Sequence, residues 1–246
     1  LYILPPALLA PWWSRGQRGS WPRWYACLAL ALAGGIILAL GWAVPAARAG
    51  GPEYGHAILL GQTAGRLLRS FAHDRPFFWY ALWLPPLLFP WIFWGTVWRG
   101  GRQMVIAGGA RFCLSAIIPS FLLLSCISGK QVHYLLPLLP AVALLLAKAA
   151  GAGAGTAAAD FRPLAALLFL AGVVLLILPR LQLHGGDAKM LTFLPPWLGV
   201  IPLLAGLVFL VPASGSVPRA VTRIAVSNVV LLIILHLALS SPLRRL

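Results

Sequence analysis

Acidic residues are scarce in this chain, and so is charge of either sign. Of 246 residues only four are Asp or Glu and 9% are charged, against roughly 25% charged in an average soluble domain. At that ratio there is too little polar surface to coat a water-soluble globule. The few carboxylates are also scattered, so a metal site built from them is not expected, and no cofactor is predicted for this chain.

Cysteine is scarce as well. Its three cysteines, Cys27, Cys113 and Cys126, lie in apolar runs without CxxC spacing, which argues against a zinc site or a disulfide framework. No GxGxxG, P-loop, HExxH or nucleophile-elbow motif occurs in the sequence. The sequence therefore gives no sign of dinucleotide binding, of a P-loop, of HExxH zinc hydrolysis or of α/β-hydrolase chemistry.

Apolar residues dominate instead, at 61% of the chain. A membrane-spanning helix needs roughly 20 largely apolar residues, and such stretches follow one another. They predict an all-α polytopic bundle, with residues 1–246 as a single transmembrane domain of about seven full spans. These spans are Trp24–Ala43, Phe77–Trp98, Phe112–Ser128, Leu135–Lys148, Pro163–Pro179, Phe193–Val211 and Ile224–Ser240. The segment Leu1–Pro11 resembles the end of a further span, so we interpret the chain as the C-terminal piece of a longer protein.

Basic residues far outnumber the acidic ones, with 19 Lys and Arg giving a net charge of +15. Their positions at the ends of spans favour anionic membrane lipids, rather than nucleic acid, as partners. Alternate loops carry nearly equal numbers of bases, but many of those on one side fall in a single long loop, where the positive-inside rule carries less weight. We therefore place Arg15 and Arg111 in the cytoplasm. Most histidines then gather on the outer face, which becomes the predicted working face.

The long loop at residues 44–76 has helical periodicity from Tyr54 onward, preceded by Gly50-Gly51-Pro52 and ended by Pro76. This pattern predicts an amphipathic helix in the membrane interface. Two interpretations stay open at this point. Its basic side chains either touch lipid phosphate or hold a substrate phosphate, and the candidates for the second role are Arg66, Arg69 and His73.

Two polar clusters lie at the predicted outer face. The first, His73-Asp74-Arg75-Pro76, opens an aromatic span that includes Tyr80. The second is a tight connection that holds Lys130, His133 and Tyr134 at a fixed depth, beside a helix broken by prolines. A lysine there could simply extend to the interface, but the combination favours a site that lines a cavity.

Together the two clusters resemble motifs of the GT-C-type polytopic glycosyltransferases that use polyprenyl-phosphate sugars, such as the aminoarabinose transferases of lipid A and the protein O-mannosyltransferases. The motifs are H-x-x-P-F-x-x-Y and S-x-K-x-x-x-Y-x-L-P-x-x-P. The matching residues here are His73, Pro76, Phe77, Tyr80, Ser128, Lys130, Tyr134, Leu136, Pro137 and Pro140. The resemblance covers roughly residues 1–148.

The resemblance implies a membrane enzyme that moves a sugar from a polyprenyl-phosphate donor to lipid A, a protein or another glycan. It implies a bacterial inner-membrane location and a periplasmic working face. Catalytic carboxylates of such enzymes lie in the first outer loop, which has no match here, so we expect them before Leu1. The residues of the two clusters are of the kinds that would bind the phosphate that departs with the prenyl carrier. Lys130, Arg66, Arg69 and Arg75 are expected as phosphate contacts, Tyr80 and Tyr134 as hydrogen-bond donors, and His73 and His133 as positioning groups.

Other classes of membrane protein stay open. An ion-coupled transporter or a lipid flippase tends to carry charges inside its spans and to have paired halves, whereas the charges of this chain crowd at an interface. An O-antigen ligase or polymerase also pairs outer-face Arg and His with a prenyl carrier, but without the order of these two motifs. A non-catalytic membrane subunit is the remaining alternative.

Overall fold

The fold is all-α, as predicted. The computed structural model describes residues 2–15, 19–56, 75–104, 106, 108–127, 129–153, 155–180, 195–211 and 215–243. Its α-helices are α1 (Leu4–Leu8), α2 (Ala10–Trp13), α3 (Trp21–His56), α4 (Trp79–Leu87), α5 (Gly95–Gln103), α6 (Gly108–Cys126), α7 (Leu139–Ala152), α8 (Arg162–Ile177), α9 (Val200–Leu210) and α10 (Val217–Leu243). Over these ranges there is no β-strand; an isolated antiparallel bridge pairs Thr156 with Gly215.

Five helical segments are long and apolar enough to cross a membrane. They are Trp21–His56, Gly108–Cys126, Val132–Ala152, Ala158–Arg180 and Val217–Leu237. Two of them extend an α-helix with short 3-10 turns, Val132–Leu138 before α7 and Ala158–Phe161 before α8. Their length matches the roughly 20 residues that a bilayer requires, so the chain is a membrane protein.

Two predicted spans differ from this pattern. The segment Phe77–Trp98 is not one helix: α4 ends at Leu87, a 3-10 turn covers Trp91–Phe93, and α5 begins at Gly95. Prolines 85, 86 and 90 explain the breaks, because each lacks an N–H donor and its ring clashes with the preceding turn. In Phe193–Val211, the described part holds a shorter apolar helix, Trp197–Leu210.

The first span runs further than predicted. The prediction that residue 44 begins a loop was wrong, because α3 continues through Pro45 and the alanines after it, which favour helix. The helix breaks at Gly51, whose φ of 84° and ψ of 174° suit glycine, and helical structure resumes from Pro52 to His56. Residues 57–74, with most of the predicted interfacial helix, lie outside the described residues.

Chain contacts divide the molecule into two compact units. The first contains residues 1–85 and 105–145. Within it, α1 and α2 pack on α6, and the rings of Trp13 and Phe112 meet edge to face at 5.2 Å. Tyr25 Oη donates to the Leu8 carbonyl at 2.8 Å, which ties the start of α3 to α1.

The second unit contains residues 86–104 and 146–246. Its core includes Trp94, Phe161, Leu164, Phe209 and Ile224, all nearly inaccessible to solvent. Helices α8 and α9 form its most extensive contact. The prediction that residues 1–246 form one transmembrane domain stays a prediction.

Candidate substrate-binding site

The turn that follows α6 is held by a buried lysine. Lys130 is only 4% exposed, and its ammonium donates to the backbone carbonyls of Ile127, at 2.6 Å, and Arg75, at 3.0 Å. A buried charge must be hydrogen-bonded to be tolerated. Because an ammonium has three N–H donors, these two bonds leave one donor for another partner.

The same turn is held by a buried tyrosine from α4. Tyr80 has no exposed surface, and its hydroxyl donates to the Gln131 carbonyl at 3.2 Å and accepts from the Gln131 N–H at 3.3 Å. The ring also lies 6.4 Å from that of Phe121 in α6. These contacts join the two sequence motifs at one place within the first unit.

A cavity of about 220 Å³ adjoins this junction. Its lining residues are Tyr2, Tyr80, Leu124, Ile127, Gly129 and Tyr134. The hydroxyl of Tyr2 donates to the Tyr134 carbonyl at 2.7 Å, which closes one side. The wall is therefore almost entirely apolar, built from aromatic rings and aliphatic side chains, a surface that suits an apolar chain.

Two of the predicted residues, His133 and Arg75, lie toward the outside of this junction. His133 is exposed, and its ring meets that of Tyr134 edge to face at 4.6 Å. Arg75 is exposed at the start of the described segment before α4. The structure thus brings Arg75, Tyr80, Lys130 and Tyr134 together, with His133 beside them. The other predicted phosphate contacts, Arg66, Arg69 and His73, lie outside the described residues.

Two residues that hold the site together by hydrogen bonds, Tyr2 and Gln131, were not predicted. Tyr2 lies near the N-terminus outside both motifs, so no pattern in the sequence indicated it. Gln131 contributes through its backbone, which side-chain motifs do not report. The roles of both residues follow from how the helices pack, which the sequence motifs do not describe.

A separate polar cluster lies in the second unit and was also not predicted. The Asp160 carboxylate accepts from Thr96 Oγ1 at 2.8 Å, from the Ala157 N–H at 2.7 Å and from Arg99 Nε at 2.8 Å. A second Arg99 nitrogen completes a bidentate ion pair, and this hydrogen bonding raises the pKa of the Arg99 guanidinium above its ordinary value. Because the carboxylate is occupied on all sides, the cluster stabilises the fold rather than offering a reactive group.

No metal centre is evident in the described ranges. No group of three His, Cys, Asp or Glu side chains there could hold a metal ion. The candidate site is therefore a cavity lined by tyrosines, with a histidine, a lysine and an arginine around it.

Comparisons with known proteins give no match. No family model matches the chain, no curated protein matches it, and no solved structure matches it. Any functional conclusion therefore depends on the motifs and on the geometry of the site.

Proposed function

We propose that this chain is the membrane part of a glycosyltransferase that takes a sugar from a polyprenyl-phosphate carrier. The acceptor is lipid A, a protein or another glycan, and transfer occurs on the periplasmic face of a bacterial inner membrane. One observation carries the proposal. Two motifs, each typical of this enzyme class, meet beside a cavity at the hydrogen bonds between Tyr80 and Gln131, which are 51 residues apart in the chain.

The chemistry of such a transfer suits the groups around the cavity. An acceptor hydroxyl attacks the anomeric carbon, and the bond from that carbon to the phosphate oxygen breaks. The electron pair leaves with the prenyl phosphate, while the hydroxyl proton goes to a general base, a role that the two motifs assign to none of their residues. Cations and hydroxyl donors held in place around the departing phosphate stabilise the charge that develops on it.

The geometry divides the predicted residues between two roles. Lys130 and Tyr80 use most of their hydrogen bonds to hold the turn after α6. Tyr134 lines the cavity, while Arg75 and His133 are exposed near it. We assign the phosphate to Arg75, to the Tyr134 hydroxyl and to the remaining N–H of Lys130. The apolar wall, with Leu124 and Ile127, suits the first isoprene units.

Binding of the carrier tests this assignment with the chain alone. The chain is reconstituted in nanodiscs, and native mass spectrometry compares retention of undecaprenyl phosphate with that of undecaprenol. We expect the phosphate form to be retained several-fold better, and Arg75→Gln and Tyr134→Phe each to reduce that preference. Arg48→Gln serves as the matched control, because Arg48 is an exposed arginine in α3 outside the cavity wall. Equal retention of both lipids would contradict the proposal.

Transfer itself is tested with the complete reading frame that contains this chain. Membranes that carry it are supplied with a radiolabelled sugar on undecaprenyl phosphate, and label in lipid A, protein and glycan fractions is counted. Label in one of these fractions identifies the acceptor class. If no fraction is labelled while the carrier still binds, the chain is a carrier-binding transporter or flippase rather than a transferase.

A further inference from the structure

A second cavity of the first unit lies at the opposite end of α6. It measures about 380 Å³. Its lining residues are Trp13, Ser14, Arg15, Gly108, Gly109, Arg111 and Phe112. They come from the end of α2 with the two residues after it and from the start of α6, whereas the tyrosine-lined cavity includes Leu124 from the last turn of α6. At 1.5 Å per residue those two ends are roughly 24 Å apart, so the cavities lie near opposite membrane faces.

The walls of this second cavity are basic and well supported. Two arginines, Arg15 and Arg111, line it, and none of the described residues in the lining carries a carboxylate. The indole of Trp13 is fixed, because its Nε1 donates to the Pro6 carbonyl at 2.7 Å and its ring packs on Phe112. The Ser14 hydroxyl donates a hydrogen bond to the Ala10 carbonyl within its own turn.

Hydrogen-bond donors in this cavity lack acceptors. Arg111 Nε is buried and has no hydrogen-bond partner among the described residues. Within the described part of the chain, its Nη1 makes one long bond, of 3.4 Å, to the Ile106 carbonyl. A guanidinium has five N–H donors and no acceptor, so this side chain has donors left for an oxygen-rich anion. Nothing lies within 4 Å of the position a Cβ on Gly109 would take, which leaves the backbone open there.

We propose that this cavity binds a phosphate group at the face predicted to be cytoplasmic. Two arginines with free donors suit a phosphate, because guanidinium groups pair with its oxygens in bidentate geometry. The start of α6 adds backbone N–H groups without intrahelical partners and the positive end of the helix dipole. The phosphate belongs either to an anionic lipid headgroup of that leaflet or to a free phosphorylated molecule.

Chemical protection of the arginines tests the site in the unchanged protein. The chain in detergent micelles is treated with phenylglyoxal, and the modification rate of each arginine is followed by peptide mass spectrometry. The micelles contain phosphatidylglycerol or phosphatidylcholine, or inorganic phosphate is added. We expect Arg15 and Arg111 to react several-fold more slowly with phosphatidylglycerol or with inorganic phosphate than with phosphatidylcholine alone, whose phosphate charge is balanced by its choline. Arg23 is the control, since it is exposed at the start of α3 outside the cavity.

The pattern of protection identifies the source of the phosphate. Protection by phosphatidylglycerol alone indicates a lipid headgroup, whereas protection by inorganic phosphate indicates a soluble ligand. Unchanged rates at Arg15 and Arg111 with both ligands would overturn the proposal, as would equal protection of Arg23.

Variants give a second readout. We expect the double variant R15Q/R111Q to lose most of the ligand retained by the wild type in native mass spectra, and R23Q to keep it. If the double variant retains that ligand fully, the cavity is not the binding site. If the double variant does not fold, the protection experiment on the unchanged chain still shows whether phosphate binds at this cavity. Carrier binding at the tyrosine-lined cavity is measured separately, so failure here leaves the proposed function untouched.

Discussion

The ammonium of Lys130 lies 3.0 Å from the carbonyl oxygen of Arg75, 55 residues earlier in the chain. A second bond, to the Ile127 carbonyl, holds the same ammonium inside its own turn. The lysine thus fastens the segment that enters α4 to the turn that leaves α6. A residue that sequence analysis assigns to phosphate is also a positioning residue, and the two roles can be separated by experiment.

Replacing Lys130 with methionine should destabilise the first unit. The change removes the charge but keeps most of the side-chain volume, and it leaves two carbonyls without their donor. Hydrogen bonds of charged groups contribute about 1.5–3 kcal/mol each, so we expect a loss of about 2 kcal/mol or more, measured as a lower unfolding temperature in micelles. Lys148→Met is the control, because Lys148 is exposed. If Lys130→Met keeps its unfolding temperature but loses carrier binding, Lys130 is a ligand and not a positioning residue.

Replacing Tyr80 with phenylalanine tests the junction of the two motifs directly. The hydroxyl is fully buried and is both donor and acceptor to Gln131. Its loss leaves the Gln131 N–H without its acceptor, while the Gln131 carbonyl keeps the bond from the Tyr134 N–H at 3.1 Å. The change should cost about 1–3 kcal/mol of stability. Tyr54→Phe, at an exposed tyrosine of α3, should leave the unfolding temperature unchanged. Equal stability of the two variants would contradict this expectation. It would mean that water reaches Gln131 and replaces the lost hydroxyl.

The sequence predicted these contacts only in part. The short connection after α6 indicated that Lys130 and Tyr134 would be held near one interface, because two residues of a turn have little freedom. It did not indicate Tyr2, since the packing of α1 on α6 depends on contacts far apart in the chain. The same limit applies to Asp160 and Arg99, which are 61 residues apart and meet only after α5 and the start of α8 are placed.

Proline had opposite effects in two helices. In the segment Phe77–Trp98, three prolines within a few residues break the helix, which a count of apolar residues does not predict. In α3, Pro45 lies among alanines within continuous helix, whereas Pro52 follows the break at Gly51. Helices that span membranes tolerate such prolines when other groups satisfy the freed backbone groups. Hydropathy therefore located apolar segments well but not the ends of their helices.

Substituting Asp160 with asparagine should weaken the second unit. The carboxylate is 6% exposed and its partner Arg99 is 47% exposed, so the amide would lose the ion pair and leave Arg99 without its anion. We expect a loss of about 2 kcal/mol, since one partner is open to water. The unfolding temperature of D160N in micelles measures it.

A double-mutant cycle then separates pairing from packing. If the two residues act as a pair, adding R99M to D160N should cost less than R99M alone. Additive losses would indicate that Asp160 acts mainly through Thr96 and the Ala157 N–H, which it also contacts.

Glycine 172 should be intolerant of even one added carbon. A Cβ at this position in α8 would lie 2.7 Å from the Gly199 carbonyl oxygen and 2.6 Å from Leu203 Cγ. In membranes, small residues of this kind let helix backbones approach closely. Gly172→Ala must therefore separate α8 from the start of α9, and we expect a loss of about 1–3 kcal/mol, seen as a lower unfolding temperature.

The matched control for that change is Gly35→Ala, also inside an apolar helix. Nothing lies within 4 Å of a Cβ at Gly35, so the substitution adds no clash. Alanine is the better helix former by about 1 kcal/mol, and Gly35→Ala should leave stability equal or slightly higher. The two variants share chemistry and differ only in their neighbours. If both lowered the unfolding temperature equally, the close approach of α8 and α9 would not be what makes Gly172 necessary.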